Sequence, residues 1–291
     1  MGATAALRLT ARAKINLYLH IVGRRSDGYH LIDSLVCFAE FGDELTLSPS
    51  PELFLSLDGP FAPALPHGDN LVLAAALLVD PVQGASIRLL KQLPVAAGIG
   101  GGSADAAAAL IGLGRLWQRP LPAPDRVLTL GADLPVCLSS GPSFVGGIGE
   151  QLAPAPALPR VHLVLANPRR PLPTIDVFRL YGRRSDGRFS APARWDDAPA
   201  DAGELAARLA ERGNDLTDAA IAIVPEIGDV IAAIAGSAGC LLSRMSGSGA
   251  TCFGLFAGAD EATKAAAMLQ AKAPGWWICA TAVAAGGAVA E

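Results

Sequence analysis

The sequence predicts an α+β fold arranged in two domains. Three observations carry that expectation. Strand-type alternation fills residues 7–57 before any helical pattern begins. From residue 161 onward, short apolar segments alternate with helical ones, as in an α/β sandwich. Between the halves, residues 152–159 contain Pro154, Pro156 and Pro159, which make a stiff linker. Domains of 1–157 and 158–291 are expected on its two sides, in keeping with a chain of 291 residues.

The elements follow in order. Leu7 and Leu9, then Ile15, Leu17, Leu19 and Ile21, alternate with polar or small residues and predict a strand over 7–22. Residues 24–30 form a polar turn broken at Asp27-Gly28. Two strands are expected at 35–38 and 44–47, and a third at 53–57. Asp69-Asn70 predicts the N-cap of a helix over 71–79. A strand at 86–90 runs into a glycine-rich loop, followed by a helix over 104–117 and another over 124–129. Residues 143–147 and 148–152 read as extended. Beyond the linker, 161–166 is an apolar run of strand length. Residues 182–203 are polar, rich in Pro and Gly and without periodicity, so a long surface loop is expected. Helices at 204–211, 216–223 and 227–235, strands at 241–245 and 251–256, a helix at 261–271 and a strand at 276–283 complete the chain. No internal repeat is visible.

The composition narrows the class. Mean hydropathy is +0.38 with 51% hydrophobic residues, which raises the question of a membrane. The longest charge-free stretch, 273–290, is interrupted by Pro274, Gly275, Gly286 and Gly287, too often for a span of about 20 apolar residues. Much of the hydropathy comes from 55 alanines. The N-terminus has no apolar core of a secretory signal. A net charge of −4 gives no broad nucleic-acid surface. Cys37, Cys137, Cys240, Cys252 and Cys279 are scattered, without a CxxC, so neither a zinc site nor a disulfide framework is expected, and a reducing cytoplasm fits.

Several motifs bear on chemistry. Pro94-Val95-Ala96-Ala97-Gly98-Ile99-Gly100-Gly101-Gly102-Ser103-Ala104 lies between a strand and a helix. Unobstructed backbone N–H groups at a helix start can wrap an anion. The alternative is a flexible turn before an alanine-rich helix. The loop is neither a Walker A motif nor GxGxxG. Ser246-Gly247-Ser248-Gly249 reads alone as a tight turn; beside the first loop, it suggests one ligand held between the two. Asp133, in Gly131-Ala132-Asp133-Leu134-Pro135, reads by spacing as a cap. Lys14, one of four lysines, lies on an apolar strand and is either a snorkelling edge residue or half of an activating pair with an Asp. Tyr29-His30 follows the Asp-Gly turn; His20, His67 and His162 show no metal spacing.

Together these segments resemble the GHMP kinase superfamily. The 94–104 loop is similar to its second motif, and 246–253 to its third. More narrowly, six segments stand in the order of one branch, whose members phosphorylate a cytidine-diphosphate-linked methylerythritol. They are Ala13-Lys14-Ile15-Asn16-Leu17, Asp27-Gly28-Tyr29-His30, Gly98 to Ala104, Gly131 to Pro135, Asn214-Asp215-Leu216 and Met245 to Gly249. The likeness covers about residues 11–256. It departs at Arg12, where Pro is usual, and in 182–203. The resemblance implies an N-terminal ribosomal-protein-S5-like α/β domain and a C-terminal ferredoxin-like one, with the site between them. It implies an ATP- and Mg²⁺-dependent small-molecule kinase of isoprenoid precursor synthesis, a monomer or homodimer acting without nucleic acid or membrane. Asp133 would be the general base and Lys14 its partner. The 94–104 loop would hold the ATP phosphates, with Asn70 and Lys91 near the nucleoside. Tyr29 and Phe178 would stack on the cytosine, and Asn16, His30, Gly247, Ser248 and Gly249 would face the substrate. The alternatives are a homoserine- or mevalonate-type kinase of the same superfamily, or a non-catalytic ligand sensor on the same fold.

Overall fold

The computed structural model describes residues 6–65, 70–139, 141–284 and 289–290. β1 (Leu7–Arg24) and β2 (His30–Pro49) form a long antiparallel hairpin. At its turn the Arg25 N–H donates to the Tyr29 carbonyl at 2.8 Å, and Gly28 takes a left-handed φ of 95°. The strands expected at 35–38 and 44–47 are one continuous strand. The polar interruption around Asp43 is not a turn, because Asp43 is buried and ion-paired. Gly42 sits so close to β1 that a Cβ would lie 2.1 Å from the Ala11 carbonyl oxygen.

β3 (Leu53–Asp58) lies parallel to β4 (Ala85–Leu90), and β4 pairs antiparallel with β2. Between β3 and β4 runs α1 (Leu71–Val79), capped by Asn70, whose Oδ1 accepts the Val72 N–H at 2.8 Å. Asp69, the other half of the expected cap, lies outside the described residues. α2 (Gly101–Trp117) begins three residues before the predicted start and packs across β1 and β2. Ala104, Ala106, Ala107, Ala108 and Ala109 are all buried, and a Cβ on Gly112 would come within 2.3 Å of Leu47 Cδ1. The alanine-rich composition therefore has a structural use: small side chains let this helix press close against the sheet.

α3 (Pro124–Leu128) and α4 (Leu134–Cys137) lead to the hairpin of β5 (Ser143–Gly146) and β6 (Gln151–Pro154), with β5 paired to β2. Residues 147–150 turn rather than extend, and β6 runs into the proline-rich segment.

The second half contains β7 (His162–Asn167), α5 (Thr174–Arg184), α6 (Ala202–Ala210), α7 (Thr217–Ile223) and α8 (Glu226–Ala235). It continues with β8 (Cys240–Met245), β9 (Cys252–Phe256), α9 (Ala259–Lys272), β10 (Trp277–Ala284) and β11 (Val289–Ala290). The sheet order is β11-β1-β2-β10-β7-β9-β8. β10 joins the halves, pairing with β7 on one side and, through Val283 and Ala284, with β2 on the other. α8 and α9 cover the sheet of the second half. Among the described residues, no helix is long and apolar enough to cross a membrane.

The expected surface loop at 182–203 is present as residues 185–201, irregular and mostly exposed, with helix at both ends. Its first residues close α5, and residues 185–201 are strapped to the first half. Buried Asp33 of β2 accepts the Ala193 N–H at 2.8 Å, Arg194 Nε at 2.7 Å and the Tyr18 hydroxyl at 2.9 Å. Trp195 is buried in the central core, with the Arg212 guanidinium 4.7 Å over its ring.

Candidate active site

The glycine loop owes its shape to left-handed backbone at Ala96, Gly98 and Gly100, with φ of 52°, 73° and 63°. Gly98 has no alternative residue: a Cβ there would lie 2.5 Å from the Gly249 carbonyl oxygen and 2.7 Å from that of Ser246. Gly100 is the N-cap of α2, so the unpaired N–H groups of the first helical turn open toward the loop. The loop is anchored, not flexible. The Lys14 N–H donates to the Ile99 carbonyl at 3.0 Å, and the Thr251 N–H to that of Ala97 at 3.1 Å. The Ser246 hydroxyl reaches the Gly98 carbonyl at 3.3 Å.

The second glycine segment, 246–249, is the other half of this contact. The two loops meet backbone to backbone at Gly98, Ser246 and Gly249. Asn214 fixes the second loop by donating from Nδ2 to the Met245 and Gly247 carbonyls at 2.9 and 2.8 Å. Ser248 is buried and its hydroxyl lies 2.8 Å from that of Thr174 at the start of α5.

Lys14 and Asp133 are brought together as the pairing reading required. Lys14 Nζ lies 3.0 Å from Asp133 Oδ2 and donates to Asn16 Oδ1 at 3.2 Å. Lys14 is 6% exposed, which excludes the snorkelling reading. Asp133 stands at the N-cap of α4 but makes no capping bond with its side chain, which is 42% exposed. Its carboxylate is thus held on one side and open on the other. A Cβ on Gly100 would lie 3.1 Å from Lys14 Cε, so the lysine stem runs along the start of α2. Two of the three ammonium donors are occupied by Asp133 and Asn16.

Two of the expected ligand residues are buried among other side chains. Asn16, expected against substrate, is buried, and its amide faces Lys14 through Oδ1 and Ser34 Oγ through Nδ2 at 2.8 Å. It orients the lysine. Lys91, expected near the nucleoside, is 2% exposed and ion-paired with Asp43 and Asp105. The sequence showed Lys91 as a rare lysine beside the loop but could not show that two distant aspartates enclose it.

The aromatic residues gather differently from the expected pair. Tyr29 is 61% exposed on the hairpin turn. Phe178, half-buried on α5, packs against His30, with ring centroids 5.5 Å apart and an angle of 32°. Tyr181 closes on the other edge of His30 at 5.6 Å and 77°. Burial, and then the nearby Arg24, hold the His30 pKa below its ordinary value, so the ring is neutral at pH 7. Tyr181 and Thr174 were not singled out in the sequence. They lie on one face of α5 with Phe178, at the i, i+4, i+7 spacing that an amphipathic reading of 174–184 would have found.

No group of three or more His, Cys, Asp or Glu that could hold a metal ion occurs among the described residues. Asp133 is the open carboxylate beside the loop.

Comparison with known proteins shows the family. The GHMP kinases N-terminal domain model matches residues 70–149 and the GHMP kinases C-terminal model matches 198–275, on either side of the proline-rich segment. A 4-diphosphocytidyl-2-C-methyl-D-erythritol kinase from Paramagnetospirillum magneticum is 55% identical over 277 residues, covering 93% of this chain and 96% of the relative. One from Cereibacter sphaeroides is 54% identical over 272 residues, covering 92% and 96%. A crystal structure of 4-(cytidine 5'-diphospho)-2C-methyl-D-erythritol kinase superposes with a TM-score of 0.75 at 32% identity, covering 96% of this chain and 99% of the other. A homoserine kinase from Cytophaga hutchinsonii, at a TM-score of 0.73 and 16% identity, shares the fold. The chain is an ATP-dependent small-molecule kinase and belongs to the 4-diphosphocytidyl-2-C-methyl-D-erythritol kinase family of the GHMP kinases.

Proposed function

We propose that the chain transfers the γ-phosphoryl group of ATP to the 2-hydroxyl of 4-diphosphocytidyl-2-C-methyl-D-erythritol, with Asp133 as general base and Lys14 as its cationic partner. The observation that carries the reading is the Lys14–Asp133 pair, 3.0 Å apart beside the first turn of α2. The names of the relatives supply the substrate. The ATP phosphates lie along the N–H groups of Gly100, Gly101, Gly102 and Ser103, where the helix terminus favours negative charge. That places the γ-phosphorus near Lys14.

The open face of the Asp133 carboxylate takes the proton as the substrate oxygen attacks phosphorus and the bond to ADP breaks. Lys14 stabilises the negative charge of the incipient alkoxide and of the transferring group. In phosphoryl transfer most of the acceleration comes from such alignment and charge neutralisation. Magnesium supplies further neutralisation of the phosphates when bound. The protein provides no dedicated cage for it among the described residues, which suits an ion that keeps waters and leans on phosphate oxygens.

On the substrate side, Tyr29, His30 and Phe178 give an aromatic surface suited to a cytosine base, and neutral His30 can both donate and accept. Ser248 and Thr174 lie where the second glycine loop meets α5, the helix that also carries Phe178.

Asp133→Asn tests the assignment. Turnover is expected to fall by about 10²–10⁴-fold, while ADP binding, measured by calorimetry, stays at the wild-type value. A variant that keeps wild-type turnover would remove Asp133 from the reaction.

A further inference from the structure

A lysine and two aspartates lie buried directly beneath the glycine loop, and no step of the transfer uses them. Lys91 Nζ donates to Asp43 Oδ2 at 2.5 Å and to Asp105 Oδ2 at 2.6 Å. The three residues are 2%, 0% and 3% exposed. Each ties down a different part of the site. Asp43, on β2, accepts through Oδ1 the N–H groups of Gln92 at 2.5 Å and Leu93 at 2.8 Å, the residues that lead into the loop. Asp105 belongs to α2, one turn beyond its start. Lys91 lies at the junction itself, because a Cβ on Gly101 would be 3.3 Å from its Nζ and 3.7 Å from Asp43 Oδ2.

Stability alone is a poor reason for such a cluster, since replacing buried ion pairs by apolar groups of similar volume is often neutral or stabilising. The cluster also carries a local defect. Asp105 Oδ1 is buried without a hydrogen-bond partner. Burial pushes the Asp105 carboxyl up to about 7 against the opposing pull of Lys91, with Asp43 adding to the rise. Burial pulls the Lys91 ammonium down, but Asp105 and Asp43 more than offset it, so Lys91 stays charged. What the three groups achieve is geometry. They join β2, the loop entry and α2 at one point.

We infer that Asp43, Lys91 and Asp105 are positioning residues for ATP, holding the loop entry and the start of α2 in register so that the first-turn N–H groups and Lys14 converge on the same phosphate. They touch no substrate and act through the loop. The inference rests on the reading of that loop as the phosphate site.

The test uses the full chain carrying Lys91→Met together with Asp105→Leu, which removes two buried charges at once and leaves both backbone bonds of Asp43. Wild-type ADP binding is measured first, and its absence would break the phosphate-site reading itself. In the double variant, ADP affinity and the KM for ATP are expected to worsen by about tenfold or more, as for a misplacement of about 1 Å. The KM for the alcohol substrate should stay within about twofold, a split that general loosening of the fold would not produce. Asp43→Asn, nearly isosteric, is read in the same way with the same expected split. ADP affinity unchanged in a folded variant overturns the inference, and so does an equal loss for both substrates. Failure of both variants to fold also overturns it, since the cluster would then serve stability.

Discussion

Around the glycine loops the protein presents main chain, with Gly98, Ser246 and Gly249 packed so closely that a single Cβ would collide; around Tyr29, His30 and Phe178 it presents side chains, with Tyr29 largely in solvent and Phe178 half-buried. The first region is bonded to both halves of the chain, through Lys14, Thr251, Asn214 and Asn16. The second rests on a hairpin turn and on one face of α5. The difference bears on how each can vary. A phosphate-binding surface made of backbone is inseparable from the packing of the fold, whereas a base-binding surface made of side chains can change without moving it.

Gly98→Ala attacks the first region and should have the broader effect, on stability and on nucleotide binding together. The added methyl meets two carbonyl oxygens and also forces a residue with a Cβ to adopt φ of 73°. A loss of about 1–3 kcal/mol in stability is expected, with weakened ADP binding alongside it. Thermal melting and calorimetry check both, and an unchanged melting temperature would show that the two loops can part at little cost. Phe178→Ala attacks the second region. Stacking of a base on an aromatic ring is worth about 1–3 kcal/mol, so KM for the cytidine substrate should rise by roughly 5–150-fold. ADP affinity should not change. Equal losses for both ligands would mean that the two regions are not separate, and would favour a substrate without a base.

The sequence exposed the first region more fully than the second. Glycine runs and a lone lysine on an apolar strand are local signals, and the pairing of Lys14 with Asp133 was implied by the family resemblance those motifs carry. Whatever depended on distant partners stayed hidden. β2 looked like two strands because buried Asp43 reads as a polar break unless its partner Lys91 is known. α5 was not anticipated, although Pro171 and Pro173 mark its start and its apolar residues fall on one face. The 182–203 segment has the composition of a surface loop, yet a single buried Trp195 and the bonds of Asp33 fix it to the sheet. Lys91 was placed near the nucleoside and Asn16 against substrate by resemblance; that both are buried among side-chain partners was not legible in the sequence.

The most direct test is a coupled phosphotransfer assay with ATP and three acceptors: 4-diphosphocytidyl-2-C-methyl-D-erythritol, homoserine and mevalonate. The account predicts turnover with the first and none above background with the others. A folded, ADP-binding preparation that phosphorylates homoserine or mevalonate, or that leaves the cytidine substrate untouched, would contradict it.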